Sequence, residues 1–140
     1  MPNRILVPMD GSAEAVRALE HAGRRRQQAA GAVAVYVLNV QPPMPPSRYV
    51  TRSMLKDHYE RMAAQALRPA RSTSRRLGLD ARFYARRGDP ATTIARFAQR
   101  MNCDEIVMGT RGRGRAAVFV LGSVALRVVQ LSKVPVTLVR

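Results

Sequence analysis

The chain has 140 residues and a mass of 15.5 kDa, so we expect a single domain, residues 1–140, that folds without disulfides or metal. Its one cysteine, Cys103, excludes an intramolecular disulfide and is typical of a reducing compartment. The N-terminus has no apolar leader and no segment is long enough to span a bilayer, so we expect a cytoplasmic protein without membrane insertion.

The first half of the chain alternates predicted strands with predicted helices. The apolar run Ile5 to Met9 predicts a strand that ends at the turn "DGS", where Ser12 is a suitable N-cap for the next helix. The run Val33 to Val40 is almost entirely apolar, which is typical of a parallel strand covered on both faces. A proline-rich loop then leads to a helix over about residues 53–77, in which Pro69 should cause a kink or a break. The predicted inward stripe of this helix contains Met54, Leu55, His58, Met62 and Ala66.

The second half continues the same alternation. "ARFYARRG" predicts a third strand that is polar enough to lie at an edge of the sheet. Asp89 as N-cap and Pro90 at the first helical position begin the next helix, and "CDEIVMGT" is a fourth buried strand. "SVALRVVQLS" predicts a helix with Val124, Val128 and Leu131 facing inward, and "VPVTLVR" a fifth strand. This order predicts a doubly wound α/β fold with a parallel sheet, whose ligands bind beyond the C-terminal ends of the strands.

The loop after the fourth strand contains the pattern G-x2-G-x9-G-[ST], formed by Gly109, Gly112, Gly122 and Ser123. Glycines let backbone N–H groups approach a phosphate, and Gly122 and Ser123 lie at a predicted helix start, where the helix dipole favours an anion. The pattern therefore favours a phosphate-binding loop. Glycines that serve only as turn residues remain an alternative.

Asp10 stands at the end of the first strand, which lies beside the fourth strand in the usual winding. A carboxylate at this position could accept hydrogen bonds from ribose hydroxyls. It could equally cap the "DGS" turn, and the sequence does not decide between the two roles.

Several kinds of catalytic or metal site are excluded. A phosphate-binding loop with the pattern GxxxxGK[ST] is absent. "GRGRAA" satisfies a dinucleotide fingerprint, but no acidic residue follows Glu105 to bind a ribose. His21 and His58 have no catalytic partner at a recognisable spacing, and no ligand set has metal spacing. We therefore predict no catalytic residue and no metal-binding residue.

Arginine supplies 22 of the 24 basic residues, because only Lys56 and Lys133 are lysines. The formal charge of +15 attracts polyanions in general. Most arginines are scattered along the chain, however, and residues 24–26 form the one dense run. We interpret them as solvated helix faces and do not expect nucleic acid as a partner.

The chain resembles the ATP-binding branch of the universal stress protein (UspA-like) family from end to end. The matching segments are "RILVPMDGS", "GDPATTIARFA", "CDEIVMGTRGRGR", "LGSVALRVV" and "VPVTLVR". The resemblance implies a three-layer, doubly wound, five-stranded parallel sheet of order 3-2-1-4-5, of the adenine nucleotide alpha hydrolase-like class. It also implies a homodimer that binds ATP. We expect any Mg²⁺ to be held through the phosphates and water, with at most Asp10 assisting.

The resemblance also implies roles for particular residues. Asp10 would bind the ribose and Val40 would flank the adenine. The full set of implied nucleotide-binding residues is Pro8, Met9, Asp10, Val40, Met108, Gly109, Arg111, Gly112, Arg113, Gly122, Ser123 and Val124. The chain departs from the family at Leu126, where an acid is frequent, and in the loop segment "RAAVFV".

The resemblance places the last strand, residues 134–139, at an edge of the sheet, where pairing with a second copy would cover its ladder. We predict a homodimeric, ATP-binding regulator or sensor in the stress response, with an unknown protein partner and at most slow hydrolysis. The alternatives are a ligand-free dimeric interaction protein of the same fold and a basic protein that binds nucleic acid or other polyanions.

Overall fold

A computed structural model describes residues 3–45, 47–110 and 121–140. In these residues strands and helices alternate as the sequence predicts. The elements are β1 (Asn3–Pro8), α1 (Ala13–Gln28), β2 (Val33–Gln41), α2 (Arg52–Leu77), β3 (Ala81–Arg87), α3 (Pro90–Arg100), β4 (Glu105–Gly109), α4 (Ser123–Leu131) and β5 (Val136–Val139).

The described strands form one parallel, five-stranded sheet of order β3-β2-β1-β4-β5. This order confirms the predicted fold and places β3 and β5 at the two edges. One aliphatic core lies between the sheet and helices α1 and α2, around Leu19, Val37 and Leu67. A second core lies on the opposite face under α3 and α4, around Leu38 and Ile94. The protein therefore has three layers, with helices on both faces of the sheet.

Side-chain caps define where three of the helices begin. The Ser12 hydroxyl accepts a hydrogen bond from the Ala15 amide at 3.2 Å, which confirms its predicted role at α1. The Asp89 carboxylate accepts from the Thr92 amide at 3.1 Å and caps α3, again as predicted. Thr51 performs the same function for α2. Each of these side chains satisfies an amide that has no partner within its helix.

Helix α2 differs from the prediction in two respects. It continues through Pro69 without a break. Its buried face is also rotated from the predicted stripe: Met54 is 53% exposed and Met62 half-buried, whereas Ala63 is buried. The buried residues are Tyr59, Ala63, Ala66, Leu67, Ala70, Thr73 and Ser74. The backbone of this face approaches the turn after β1 closely at Ala66.

The C-terminal elements also correct two expectations. Val128 faces inward as predicted, but Val124 and Leu131 are 37% and 42% exposed, and Ala125 is buried in their place. Strand β5 begins at Val136 rather than at residue 134. Within the described ranges, no helix is long and apolar enough to cross a membrane.

Candidate functional site

Strands β1 and β4 separate at their C-terminal ends. Strand β1 pairs with β2 as far as Pro8, and the Met9 amide continues the ladder with a 2.8 Å hydrogen bond to the Leu38 carbonyl. Pairing of β1 with β4, by contrast, extends only to Leu6 and Ile106. The chain winds in opposite directions on the two sides of this junction, and doubly wound sheets bind ligands at such a point.

A buried asparagine fixes the β1 side of the junction. Asn39, which is 2% exposed, donates from Nδ2 to the Met9 carbonyl at 2.8 Å. Its Oδ1 in turn accepts from Gln41 Nε2 at 2.8 Å. Asn39 is not among the predicted site residues, although a polar residue within the apolar run 33–40 is a signal that the sequence contains. Buried polar groups of this kind hold the backbone in one position because breaking their hydrogen bonds is costly.

The turn after β1 is tightly packed. Asp10 Oδ1 accepts a hydrogen bond from the Ser12 amide at 2.9 Å, so the turn-capping role proposed for this carboxylate is present. Gly11 has a φ of +89°, a conformation that favours glycine. A Cβ atom on Gly11 would also lie 3.3 Å from backbone atoms of Ala66 in α2. The need for glycine at position 11 is not apparent from the local sequence, because it arises in part from this contact with a distant helix.

The two ends of the glycine-containing loop lie together at the end of β4. Gly109 is the last residue of β4 and pairs with Val139 of β5. The next residue, Thr110, donates its amide to the Val139 carbonyl at 3.0 Å and accepts at its own carbonyl from the Gly122 amide at 2.7 Å. Gly109 precedes Thr110 in the chain and Gly122 is hydrogen-bonded to it, so both glycines lie beside Thr110. Thr110 was not predicted as a site residue.

Three predicted site residues, Arg111, Gly112 and Arg113, lie outside the described residues.

Glycine at position 122 is not required by the backbone. Gly122 has φ −63° and ψ 155°, which any L residue can adopt. Gly109 lies within a strand and is absent from the positive-φ glycines of the described residues, which are Gly11, Gly78 and Gly88. The explanation that these glycines serve only as turn residues therefore has no conformational support at positions 109 and 122.

Helix α4 begins without a side-chain cap. Its N-cap is Gly122, which has no side chain to accept a hydrogen bond, unlike the caps of α1, α2 and α3. The first intrahelical bond runs from the Leu126 amide to the Gly122 carbonyl at 2.9 Å. The amides of Ser123 and Val124 precede this bond in the first turn, and both residues are exposed. Such amides, together with the helix dipole, favour an anion.

The remaining predicted residues pack beside the junction. Pro8 is buried at the end of β1, and Met108 is 6% exposed in the core beneath α3 and α4. Val40 is half-buried and packs against the same core. Val40 and Met108 therefore share one side of the sheet, one strand on each side of β1.

The ionisable groups of the described residues include no obvious nucleophile. Burial and the nearby Asp104 raise the pKa of the Cys103 thiol to about 11, whereas Arg4 acts in the opposite direction. Cys103 is 5% exposed and therefore stays protonated at neutral pH. Across the described ranges, no three His, Cys, Asp or Glu side chains come together as metal ligands.

Comparison with known proteins identifies the family. The sequence model that describes the universal stress protein family matches residues 1–140 of this chain. The universal stress protein MJ0531 of Methanocaldococcus jannaschii is 31% identical over 142 residues, which cover 98% of this chain and 81% of that protein.

Solved structures agree with this match. The universal stress protein UspA from Lactobacillus plantarum superposes with a TM-score of 0.78 at 23% identity, over 99% of this chain and 97% of that one, and so shares the fold. A universal stress protein crystallised in complex with cAMP superposes with a TM-score of 0.72 at 28% identity, over the same shares of the two chains. The protein described above is therefore a member of the universal stress protein family.

Proposed function

We propose that this protein binds ATP in the junction between β1 and β4 and acts as a homodimeric, nucleotide-dependent regulator in stress adaptation. The observation that carries the proposal is the start of α4. A glycine that the backbone does not require stands there, held beside the end of β4 by its 2.7 Å hydrogen bond to Thr110. The missing side chain leaves the first amides of α4 open to a phosphate chain.

Each part of the nucleotide has proposed partners. Pro8 and Met9 border the nucleotide and Val40 flanks the adenine. Asp10 binds the ribose through a carboxylate that also caps its own turn. Met108, Gly109 and Gly112 line the ribose and phosphate side, Gly122, Ser123 and Val124 hold the phosphates, and Arg111 or Arg113 neutralises their charge. The cAMP complex of a 28% identical family member supports an adenine nucleotide as the ligand class.

The chemistry of the site favours binding over turnover. No acidic residue follows Glu105, and the lysine of a phosphate-binding loop is absent from the sequence. Fast phosphoryl transfer needs charge stabilisation and an oriented nucleophile, and the predicted site residues supply no general base other than Asp10. We propose that Mg²⁺ is held by the phosphates and water with help from Asp10, and that hydrolysis is slow.

The proposed dimer uses the edge strand β5. This strand ends the sheet, and Leu138 on it is 37% exposed. Helix α4 beside it exposes Leu126, Val129 and Leu131, each between 42% and 46%. An unpaired apolar edge of this kind is covered when two copies pair across a two-fold axis.

Two measurements test the proposed ligand. Mass spectrometry of freshly purified, denatured protein should detect a co-purifying adenine nucleotide. Calorimetric titration with ATP and Mg²⁺ should give saturable binding with one site per chain, and GTP serves as the control for base selectivity. Absence of saturable binding at millimolar ATP and Mg²⁺ would contradict the proposal and favour a ligand-free interaction protein.

A further inference from the structure

The fold brings together arginines that are scattered in the sequence. Six of them lie along the β3 edge of the sheet, and we call this surface the arginine edge. Its members are Arg68, Arg71 and Arg75 of α2 and Arg82, Arg86 and Arg87 of β3, and all six are exposed. The three on α2 are spaced three and four residues apart and therefore share one face of the helix.

Contacts between guanidinium groups and aromatic rings join the two elements. Arg71 of α2 lies over the ring of Phe83 in β3, with 4.4 Å between its Cζ and the ring centroid. Arg87 of β3 lies over Tyr59 of α2 at the same distance. These reciprocal contacts show that the arginine face of α2 lies alongside β3. Arg71 and Arg87 therefore lie on the α2 face of this edge, whereas Arg82 and Arg86, which alternate with Phe83 and Arg87 along β3, belong to the other face of the same edge strand.

Arg86 extends this surface around the edge to the opposite face of the sheet. Its Cζ lies 5.5 Å from the ring centroid of Phe97 in α3, and its Nη1 donates to the Ala85 carbonyl at 2.8 Å. A guanidinium that stacks on a ring keeps its N–H edge available and loses little further rotamer freedom on binding. The guanidinium groups of Arg71, Arg86 and Arg87 are therefore already positioned for phosphate oxygens, which arginine binds in a bidentate manner.

The positive charge of the arginine edge is not compensated locally. Between Arg61 and Arg87 the sequence contains eight arginines and one acid, Asp80. In the part of the chain that the structure describes, none of the six arginines forms an ion pair. The acids that flank them are engaged elsewhere, Glu20 with Arg76 and Asp89 with Arg127, both at 3.3 Å. Repulsion among these arginines would be relieved by a polyanion.

The shape and polarity of the surface favour nucleic acid over a membrane. Among the described residues, the large exposed apolar side chains lie in segments 44–54 and 124–138. The first segment meets one end of the arginine edge, where the Met44 amide donates to the Tyr59 hydroxyl at 2.6 Å beneath Arg87, and the second includes the opposite edge strand β5. Along β3 from Arg82 to Arg86, the edge carries no large exposed apolar side chain that would insert into a bilayer. Phe83 and Tyr84 are half-buried beneath guanidinium groups, so they are not available for stacking on unpaired bases.

We propose that the arginine edge binds the phosphate backbone of duplex nucleic acid without sequence preference. Seven strand residues span about 23 Å, which corresponds to roughly six or seven base pairs of duplex. This surface is on the opposite edge of the sheet from β5, and only its Arg86, which pairs in register with Val40, adjoins the proposed nucleotide site. Such a partner was not expected from the sequence, because arginines of α2 and β3 become neighbours only when the two elements pack together.

The test uses a fluorescein-labelled DNA duplex of mixed sequence, about 20 base pairs long, and fluorescence anisotropy at several salt concentrations. If all six arginines contact phosphates, the slope of log K against log salt should approach about −5. The affinity should then fall by about 10³ between 50 and 200 mM salt. No saturable binding at the lowest salt concentration would overturn the proposal.

Two triple variants distinguish binding through the arginine edge from attraction by the net charge of the protein. The edge variant carries Arg68→Gln, Arg75→Gln and Arg82→Gln, three exposed positions outside the stacking contacts, and should reduce the slope by about 3 units and the affinity by at least tenfold. The matched control removes the same charge through the exposed Arg17→Gln, Arg100→Gln and Lys133→Gln, which lie on α1, at the end of α3 and before β5, and should change the slope by less than about 1.

Equal losses in both variants would overturn the proposal, since binding would then follow net charge alone. Circular dichroism and urea unfolding verify that each variant is folded. Vesicles that contain phosphatidylserine form the comparison surface, and tighter binding to vesicles than to the duplex would overturn the assignment to nucleic acid.

Discussion

The Gly122 amide donates a 2.7 Å hydrogen bond to the Thr110 carbonyl and thereby joins the start of α4 to the end of β4. Thr110 also donates its own amide to the Val139 carbonyl at 3.0 Å. One residue therefore connects β4, β5 and α4. This arrangement fixes Gly109 and Gly122 at the same end of the sheet, although twelve residues separate them in the sequence.

The first prediction concerns Gly122→Val. The backbone angles at this position suit valine, so we expect the fold to be retained. The new side chain should occupy the space proposed for the phosphates and weaken ATP binding by at least about tenfold, which corresponds to about 1.4 kcal/mol. Calorimetric titration with ATP and Mg²⁺ measures the change.

Gly31→Val is the matched control for this substitution. Gly31 is exposed, and a Cβ atom there would meet nothing within 4 Å. ATP affinity should therefore stay at the wild-type value. Wild-type affinity in Gly122→Val itself would show that the site has been placed incorrectly.

The second prediction concerns Asn39→Ala. The substitution removes the hydrogen bonds of Asn39 to the Met9 carbonyl and to Gln41, and leaves the buried carbonyl without this donor. We expect the free energy of unfolding to fall by about 2 kcal/mol. Urea denaturation measures this change. ATP affinity should also fall, because Met9 and Asp10 would lose their fixed position.

Gln41→Ala provides the comparison. The Gln41 side chain is only half-buried and contacts the junction through Asn39. Its removal should therefore lower the free energy of unfolding by less than about 1 kcal/mol. Similar unfolding energies for the two variants would mean that the hydrogen bond to Met9 contributes little.

The third prediction concerns the proposed dimer. Leu138→Glu places a charge on the exposed face of β5, where it would be buried between two copies. Light scattering after size-exclusion chromatography should give about twice the 15.5 kDa chain mass for the wild type and the single mass for the variant. Met54→Glu, at an exposed apolar position on α2, should leave the wild-type mass unchanged. A monomeric wild type would rule out the dimer.

The fourth prediction concerns the thiol of Cys103, whose pKa burial raises to about 11 from an ordinary value of 9.0. The thiolate is the reactive form, so labelling by a disulfide reagent at pH 8 should be about 100-fold slower than for an unhindered thiol. The rate should continue to rise between pH 9 and 11 rather than reach a plateau. A plateau at pH 9 would indicate an ordinary thiol.

The same pKa shift affects stability with a definite sign. The folded state holds the thiol proton more tightly than the unfolded state does. The contribution of the protonated thiol to the free energy of unfolding is therefore fully present below pH 9 and is lost as the pH rises towards 11. The difference in unfolding free energy between the wild type and Cys103→Ala should therefore decrease over this range.

The elements and their order could be predicted from the sequence because their signals are local. Ser12 and Asp89 were identified as caps from residue type and position alone, and both form the expected hydrogen bonds. The faces of α2 and α4 were less predictable. In α4, Ala125 faces inward where Val124 was predicted to do so. Which of the two is buried depends on how far α4 is rotated against the sheet, and the local sequence does not decide it because apolar residues occur all around this helix.

The candidate site likewise contains residues that the sequence predicted and residues that it did not. The glycine spacing and the strand-end Asp10 were visible in the sequence, because each is a matter of residue type at a fixed offset. Asn39 and Thr110 were missed, since their importance comes from hydrogen bonds to Met9 and Gly122, which are distant in the chain.

The sequence by itself determined that this protein is a doubly wound α/β protein with a glycine-containing loop after its fourth strand. Its periodicity, caps and motif spacing are properties of short segments and need no tertiary contacts. Only the tertiary structure decided which residues meet. In the folded protein the C-terminal ends of β1 and β4 separate, Gly122 is hydrogen-bonded to Thr110, and Arg71 lies over Phe83 in the edge strand β3. The physical reason is that these relationships depend on packing between elements far apart in the chain, which local patterns do not specify.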